Sequence, residues 1–146
     1  MVTAKEHRTV LGFTGTQYGM TGAQCNALRR LLFSAQGFIK SEFHHGDCIG
    51  ADAEAHDIAE ALGWKPIIHP PANNKKRAYK RAEITLLPAP YLVRNRAIVD
   101  ATEALIAAPQ QFTEQLRSGT WFTVRYAQKK KRKIYIVLPD GSVELS

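Results

Sequence analysis

The chain has 146 residues, 45% of them hydrophobic and 23% charged, with a formal net charge of +7. This length suits one core and excludes two ordinary domains, so we expect a single domain over residues 1–146. No apolar run approaches the roughly 20 residues of a membrane helix, and residues 1–8 lack a signal-peptide core. We therefore expect a cytoplasmic protein without a membrane partner.

The positive charge favours an anionic partner, because clustered lysine and arginine raise the local concentration of phosphates. The basic residues form two clusters, at 75–81 and 129–133. We predict that the second is a solvated helix end, where the helix dipole favours cations. The two cysteines and five histidines lack the spacing of zinc or redox sites, which predicts reduced thiols and no structural metal: Cys25, Cys48, His7, His44, His45, His56 and His69.

Short apolar runs alternate with segments of helical spacing along the chain. The runs predict strands at 9–13, 39–44, 65–69, 104–108 and 134–138. The helical segments lie between them, and the four helices are predicted near 24–35, 51–62, 91–101 and 119–130. Thr21 and Gln24 form a capping box before the first helix, and Gly63 is a C-cap after the second.

This alternation indicates the α/β class: a three-layer, Rossmann-like, doubly wound and mostly parallel sheet of about five strands. Residues 70–90 break the rhythm with four prolines and the first basic cluster. We interpret this segment as a long functional or mobile loop.

Ligands of doubly wound folds bind at the carboxyl ends of the strands, where four polar loops are predicted. These loops contain the candidate ligand-binding residues Gly15, Thr16, Gln17, Gly46, Asp47, Gly50, Asp52, Arg94, Asn95, Ser118, Gly119 and Thr120. Glycine and threonine let backbone amides and hydroxyls approach an anion closely, and an arginine at a helix start can fork onto a phosphate. The first loop is neither a Walker A loop nor a G-x-G-x-x-G sequence.

Several of these residues have competing roles. Asp47 or Asp52 can accept ribose hydroxyls, and we favour Asp47; Asp52 is alternatively a helix N-terminal charge. We interpret His56 as a packing residue. Tyr18 or Trp121 can stack a base, although Trp121 also suits the core or a subunit interface.

The same loops carry a resemblance to a known family. Residues 46–56 look like G-x-x-x-G-x-D-x-x-A-H, residues 94–96 look like R-N-R, and residues 118–125 are similar to S-G-[ST]-x-x-T-x-R, all patterns of the DprA branch of the SLOG superfamily. The strand and turn at 133–141 also resemble that branch. The resemblance spans residues 10–141 and implies a Rossmann-like nucleotide-binding protein, closest in motif to DprA. Dimeric relatives imply a homodimer.

The departures from the family patterns also matter. Gly15, Thr16 and Gln17 occupy the place of the G-S-R of the DprA branch, and Phe122 and Thr123 occupy the place of the catalytic glutamate of the LOG branch. The chain therefore fits a ligand-binding protein better than an enzyme, and its catalytic residues are unknown.

We expect the chain to bind a phosphorylated nucleotide or nucleotide-derived ligand, with no cofactor required. One alternative is single-stranded DNA or RNA binding of the DprA kind. The other is a LOG-like nucleotide N-glycosidase, for which the only carboxylates near strand ends are Asp47, Asp52 and Glu103.

We also predict that Gly15, Asp47, Arg94 and Gly119 converge on one cleft. In that arrangement Arg94 lies beside the Gly15 and Gly119 turns and grips a phosphate. In the competing interpretation Arg94 is structural and pairs with Asp100 or Glu103.

Overall fold

The computed structural model describes residues 8–35 and 41–146, in which strands and helices alternate. The strands are β1 (Val10–Gly15), β2 (Glu42–His45), β3 (Lys65–Ile68), β4 (Ile84–Thr85), β5 (Ala104–Ala108), β6 (Lys133–Val137) and β7 (Val143–Leu145). The α-helices are α1 (Gly22–Ala35), α2 (Ala51–Ala61), α3 (Tyr91–Asp100) and α4 (Gly119–Lys129), and a short 3-10 helix spans Asn74–Lys76.

The strands form one sheet in the order β4-β3-β2-β1-β5-β6-β7. All neighbours pair in parallel except β6 and β7, which are antiparallel. The chain winds outward from β1 to β4 and then returns through α3 to β5, on the other side of β1. This reversal places a topological switch point between β1 and β5, where α/β sheets bind ligands.

Two apolar cores cover the two faces of the sheet. Leu28 and Leu32 of α1 pack with α2 against Phe13 and Phe43 on one face. On the other face α3 and α4 pack against β5 and β6, with Trp121 in that core. The central strand β5 is buried at all five positions, because helices cover it on both sides.

The predicted α/β class and mostly parallel sheet are confirmed. Seven strands form instead of about five, because the predicted set does not include the two short edge strands: β4 has two residues and lies in the segment interpreted as a loop, and β7 has three residues. The beginning of the predicted second strand, residues 39 and 40, and His7 lie outside the described residues. No helix in the described ranges has the length and apolar character to cross a membrane.

The predicted helix boundaries are close to those observed. Thr21 and Gln24 form the capping box, with reciprocal N–H bonds of 3.0 Å. The side-chain amide of Gln24 also donates to the carbonyls of Pro109 and Val137. The 70–90 segment is not a structureless loop: it contains the 3-10 helix and β4, and it pairs with β3.

Candidate ligand-binding site

A cleft of about 370 Å³ lies at the carboxyl ends of β1 and β5. It is bounded by the loop after β1, the loop after β5 and the first turns of α2, α3 and α4. The lining residues are Phe13, Thr14, Gly15, Thr16, Gln17, Tyr18, Cys48, Asp52, Lys76, Tyr91, Arg94, Asn95, Ile98, Gln110, Gln111, Arg117, Ser118, Gly119 and Thr120. Nine of the twelve candidate residues are therefore brought together, and Gly46, Asp47 and Gly50 do not line the cleft.

The first two loops are held against each other by backbone contacts. The Thr16 N–H donates to the carbonyl of Ala108, and the Ala51 N–H donates to the carbonyl of Thr16. Gly50 has φ +89°, and a Cβ atom there would overlap the Gln17 carbonyl. Gly50 therefore permits the close approach of these two loops. The Thr16 N–H is used in its bond to Ala108 of β5 and does not face a ligand.

Asp47 does not face the cleft, which corrects the prediction that it selects a sugar. Its side chain is fully buried, with φ +54°, and its carboxylate accepts from Arg77 Nε at 3.2 Å and from the Lys80 N–H at 3.0 Å. Asn and Asp tolerate this left-handed conformation better than most residues. Asp47 therefore fixes the basic 75–81 segment beside the second loop.

Arg94 lines the cleft but is engaged with protein groups on its inner side. Its Nη1 donates to the carbonyls of Gly46 and His69, and its Nη2 donates to Cys48 Sγ at 3.3 Å. These bonds use at most three of the five N–H groups of a guanidinium, and Nε has no hydrogen-bond partner although it is buried. A Cβ at Gly46 would overlap this guanidinium.

The ring of Tyr91 separates Arg94 from the α4 turn. Its centroid lies 4.8 Å from Arg94 Cζ, and a Cβ at Gly119 would lie 2.7 Å from the phenol oxygen. Gly119 is thus required for Tyr91 to pack there. Arg94 and the Gly119 turn line the same cleft, as predicted, with the Tyr91 ring packed against both. The alternative pairing of Arg94 with Asp100 or Glu103 is wrong, because its guanidinium donates to Gly46, His69 and Cys48.

Asp52 provides the one carboxylate among the lining residues. It accepts from the Cys48 N–H at 3.2 Å, which fits the alternative role of a helix N-terminal charge. Burial raises its pKa to about 6, against the lowering effect of Arg94. Burial also raises the pKa of the Cys48 thiol, so the thiol stays protonated at neutral pH.

At the start of α4, Ser118 is the N-cap and accepts from the Trp121 N–H at 3.3 Å. The Trp121 indole is buried in the core, and its Nε1 donates to Gln111, which excludes it from stacking a base. Tyr18, by contrast, is 74% exposed and lines the cleft. Of the two candidate stacking residues, only Tyr18 is therefore available.

The predicted site residues do not include six polar residues that line the cleft: Thr14, Lys76, Tyr91, Gln110, Gln111 and Arg117. The glutamines follow β5 directly, so the switch-point rule was a usable signal for them. No sequence signal placed Lys76 here. An antiparallel bridge between Cys48 and Arg77, and the bond from the Ile49 N–H to the Lys76 carbonyl, bring it to the cleft.

Two histidine pairs lie in the elements behind the cleft. His44 and His69 are joined at 2.8 Å, and His45 and His56 at 2.9 Å, with all four rings buried. His56 is therefore a packing residue, as predicted. Burial lowers the pKa of each, that of His69 to about 4. In the described residues, no group of three or more His, Cys, Asp or Glu side chains is placed to hold a metal.

Two other predicted features lie at the opposite end of the sheet. Glu103 precedes β5 and accepts from the Val10 N–H at 3.2 Å, so it is not near the cleft. The tract 129–133 begins at the last residue of α4, whose first residue lines the cleft. An 11-residue helix is about 16 Å long, which separates the tract from the cleft.

Several solved structures are similar to this fold. The molybdenum cofactor binding protein of Rippkaea orientalis superposes with a TM-score of 0.69 at 17% identity, over 90% of this chain and 77% of that one. The Moco carrier protein of Chlamydomonas reinhardtii gives 0.64 at 18%, over 92% and 77%. DNA processing protein A of Helicobacter pylori, described with single-stranded DNA, gives 0.58 at 18%, over 91% and 66%.

The chain shares the fold of these proteins. At identities below 20% this likeness shows the fold alone, and DNA processing protein A, the branch that the sequence motifs resemble, is among the proteins that share it. No family model matches the sequence. No curated protein matches it either.

Proposed function

We propose that the chain binds a phosphorylated nucleotide or nucleotide-derived ligand in the cleft at the carboxyl ends of β1 and β5. The observation that carries this proposal is the charge of the cleft: three cations and one carboxylate line it, namely Lys76, Arg94, Arg117 and Asp52. Three helices also begin at the cleft, and helix N-termini favour anions. Neighbours that bind the molybdenum cofactor or single-stranded DNA support a ligand with phosphate groups.

In this proposal the cations have different tasks. Arg94 is buried and keeps an unpartnered Nε–H at the inner wall, while Lys76 and Arg117 are exposed at the rim and meet the ligand from solvent. Tyr18 stacks on the planar ring of the ligand, because its ring is exposed at the same cleft.

The test is a thermal-shift screen of mononucleotides, cyclic nucleotides, ADP-ribose and molybdenum cofactor, followed by calorimetric titration of each hit. The double variant Lys76→Gln/Arg117→Gln should weaken binding about tenfold to a hundredfold, since the two contacts together contribute roughly 1.4–2.8 kcal/mol; each contributes less than a buried charge-assisted bond because both side chains are exposed. The matched control is Lys129→Gln/Lys130→Gln, which removes the same charge at the far end of α4. Equal losses in both double variants would contradict the cleft as the site.

Single-stranded nucleic acid is the second candidate ligand, favoured by one observation. The segment that brings Lys76 to the cleft also carries Lys75 and Arg81, whose side chains are exposed. A strand with one nucleotide in the cleft would place its next phosphates along this segment. Its affinity should rise with oligonucleotide length and fall steeply with salt, because a polyanion releases many counterions. Affinity independent of both would exclude this candidate and leave the small ligand.

An N-glycosidase remains the third candidate, with Asp52 as the carboxylate that lines the cleft. Chromatography of each bound nucleotide after prolonged incubation tests it, since hydrolysis would release free base.

We propose a cytoplasmic location because Cys25 and Cys48 are free thiols.

A further inference from the structure

The two exposed cations of the cleft, Lys76 and Arg117, depend on their backbones for their positions. Both side chains line the cleft. Among the residues whose positions the structure describes, neither side chain takes part in an ion pair or a hydrogen bond. A long side chain without partners can reach only what its backbone position allows. The contacts that fix these two stretches of backbone therefore decide whether the cations meet a bound phosphate.

The backbone beside Lys76 is held by one buried acid, Asp47. The Asp47 carboxylate accepts from Arg77 Nε at 3.2 Å and from the Lys80 N–H at 3.0 Å. The carboxylate is fully buried, and charge-assisted bonds of buried groups are stronger than those at the surface. These contacts, here called the Asp47 clamp, hold residues 77–80 and with them the adjoining Lys76.

A second set of contacts holds the backbone beside Arg117. Arg125, on α4, donates to the Glu114 carboxylate at 2.8 Å. Its guanidinium also donates to the carbonyls of Gln115 at 3.3 Å and Leu116 at 3.1 Å. One planar fork thus binds three consecutive residues, and Arg117 follows them directly. We call these contacts the Arg125 clamp.

We propose that Asp47 and Arg125 are positioning residues for ligand binding and that each acts through one cation at the rim. Asp47 acts through Lys76, and Arg125 acts through Arg117. Neither Asp47 nor Arg125 lines the cleft, so neither touches the ligand. The two clamps share no residue, so their effects on binding are independent. This inference rests on the proposed function, because it concerns the same cleft.

Two substitutions remove the clamps with little change of shape. Asp47→Asn removes the negative charge and keeps the size of the side chain and its tolerance of a positive φ. Arg125→Gln removes the guanidinium and keeps a good helix former on α4. Arg77→Gln breaks the Asp47 clamp from its more exposed side, and it replaces Asp47→Asn if circular dichroism shows that variant to be unfolded.

Limited proteolysis of the full chain with trypsin tests the clamps without a ligand, since both segments contain trypsin sites. Asp47→Asn should speed cleavage within 75–81 about tenfold and leave cleavage after Arg117 unchanged. Arg125→Gln should speed cleavage after Arg117 about threefold to tenfold, because its bonds are partly exposed, and leave 75–81 unchanged. Cleavage after Arg29, on α1, reports wider unfolding and should stay constant. Equal acceleration at all sites, or none, would overturn the proposal.

Calorimetric titration with ADP-ribose tests the effect on binding through double-mutant cycles. Asp47→Asn and Lys76→Gln should each weaken binding about threefold to tenfold, and the double variant should be no weaker than either single variant. Arg125→Gln and Arg117→Gln should behave in the same way. The matched controls are the crossed pairs, Asp47→Asn/Arg117→Gln and Arg125→Gln/Lys76→Gln, in which the losses should multiply.

The crossed pairs separate positioning from a general effect on the fold. A residue that only stabilises the fold would multiply its loss with that of either cation, so losses that multiply within the pairs as well would overturn the proposal. Unchanged affinity in Asp47→Asn and Arg125→Gln would also overturn it. A wild-type chain that does not bind ADP-ribose would contradict the proposed function for this ligand and the binding role of both residues, whereas proteolysis would still decide whether the clamps hold their segments.

Discussion

Arg94 connects three parts of the molecule through one side chain. Its guanidinium binds the carbonyl at the end of β2, the carbonyl after β3 and the thiol of Cys48. Leaving a buried carbonyl without a donor costs roughly 1–3 kcal/mol. Arg94 therefore has a structural role, as in the competing interpretation of the sequence, beside its predicted role towards a phosphate.

We predict that Arg94→Ala lowers both the melting temperature and the ligand affinity. Arg94→Lys should restore neither fully, because lysine lacks the planar guanidinium that donates to several acceptors at once. Arg96→Ala, two residues further along α3 and half-buried, is the matched control and should change the melting temperature little. Thermal melting and calorimetric titration of the three variants measure this. An unchanged melting temperature for Arg94→Ala would show that its three bonds contribute nothing to stability.

Gly50 provides a second residue-scale prediction. Gly50→Ala should destabilise the fold and weaken ligand binding, because φ +89° disfavours a side chain and the added Cβ would push the second loop away from Gln17. Gly22→Ala is the control: a Cβ there has no atom within 4 Å, and alanine favours helix by up to about 1 kcal/mol. Chemical denaturation compares the two. Equal stability of both variants would contradict the strain at Gly50.

Asp52 predicts a pH dependence of binding. Its raised pKa, about 6, means that it loses its negative charge as the pH falls through that value, so an anionic ligand should bind more tightly at the lower pH. The probe should be ADP-ribose, whose two phosphates form a bridging diphosphate with no terminal phosphate group that titrates near this pH. Asp52→Asn should flatten the profile, because it removes the carboxyl group that titrates. The amide oxygen of the variant can still accept from the Cys48 N–H, so the local structure is kept. A wild-type profile already flat between about pH 5 and about pH 7 would contradict the assignment.

At the level of elements, β2, β3 and α2 are joined by the two histidine pairs. The Glu42 carboxylate only accepts, so His44 Nε2 donates to it, and in the neutral His44 ring Nδ1 then accepts from His69. Similarly, the Asp47 N–H donates to His45 Nδ1, so His45 Nε2 donates to His56. The His45–His56 pair is therefore satisfied only when both rings are neutral. The His44–His69 pair has room for one proton between its facing nitrogens, so it is not compatible with two charged rings.

This arrangement predicts that the free energy of unfolding decreases in acid. All four pKa values lie below the ordinary value of 6.5, so the unfolded chain binds more protons, and stability is lost as the pH falls from about 6.5 towards 4. Asp52 acts in the opposite direction: because its pKa is raised, the free energy of unfolding contributed by this carboxyl rises as the pH falls through the same range. It is one group, whereas four histidines act the other way. Urea titrations at several pH values measure the slope, which His69→Gln should reduce. A stability that rises on acidification would contradict it.

At the level of the whole molecule, the cleft and the tract 129–133 lie at opposite ends of α4, so the positive charge is not one continuous field. A ligand that binds only the folded state stabilises it by about 2.7 kcal/mol at 100 times its dissociation constant. For a chain of this size we predict a rise in melting temperature of roughly 10 °C for the tightest-binding nucleotide. The shift should persist in Lys129→Gln/Lys130→Gln and shrink in Lys76→Gln/Arg117→Gln. A shift that disappears in the first variant instead would place the ligand at the tract.

Local sequence patterns are enough to predict the main strands, the helices and most of the cleft. Consecutive apolar runs predicted β1, β5 and β6, and the capping box predicted the start of α1, because these signals are local in the chain. The switch-point rule then placed Gly15, Arg94 and Gly119 at one end of the sheet, since every parallel strand delivers its following loop to the same edge.

The directions in which the side chains of those loops point depend on tertiary contacts. Asp47 turns into the protein because its positive φ and the Arg77 and Lys80 donors hold it there, and Trp121 is taken up by the core beneath α4. Lys76 reaches the cleft through a bridge to Cys48, a contact between segments far apart in sequence. Such contacts depend on backbone dihedrals and on partners from distant segments, and no periodicity in a single sequence encodes them.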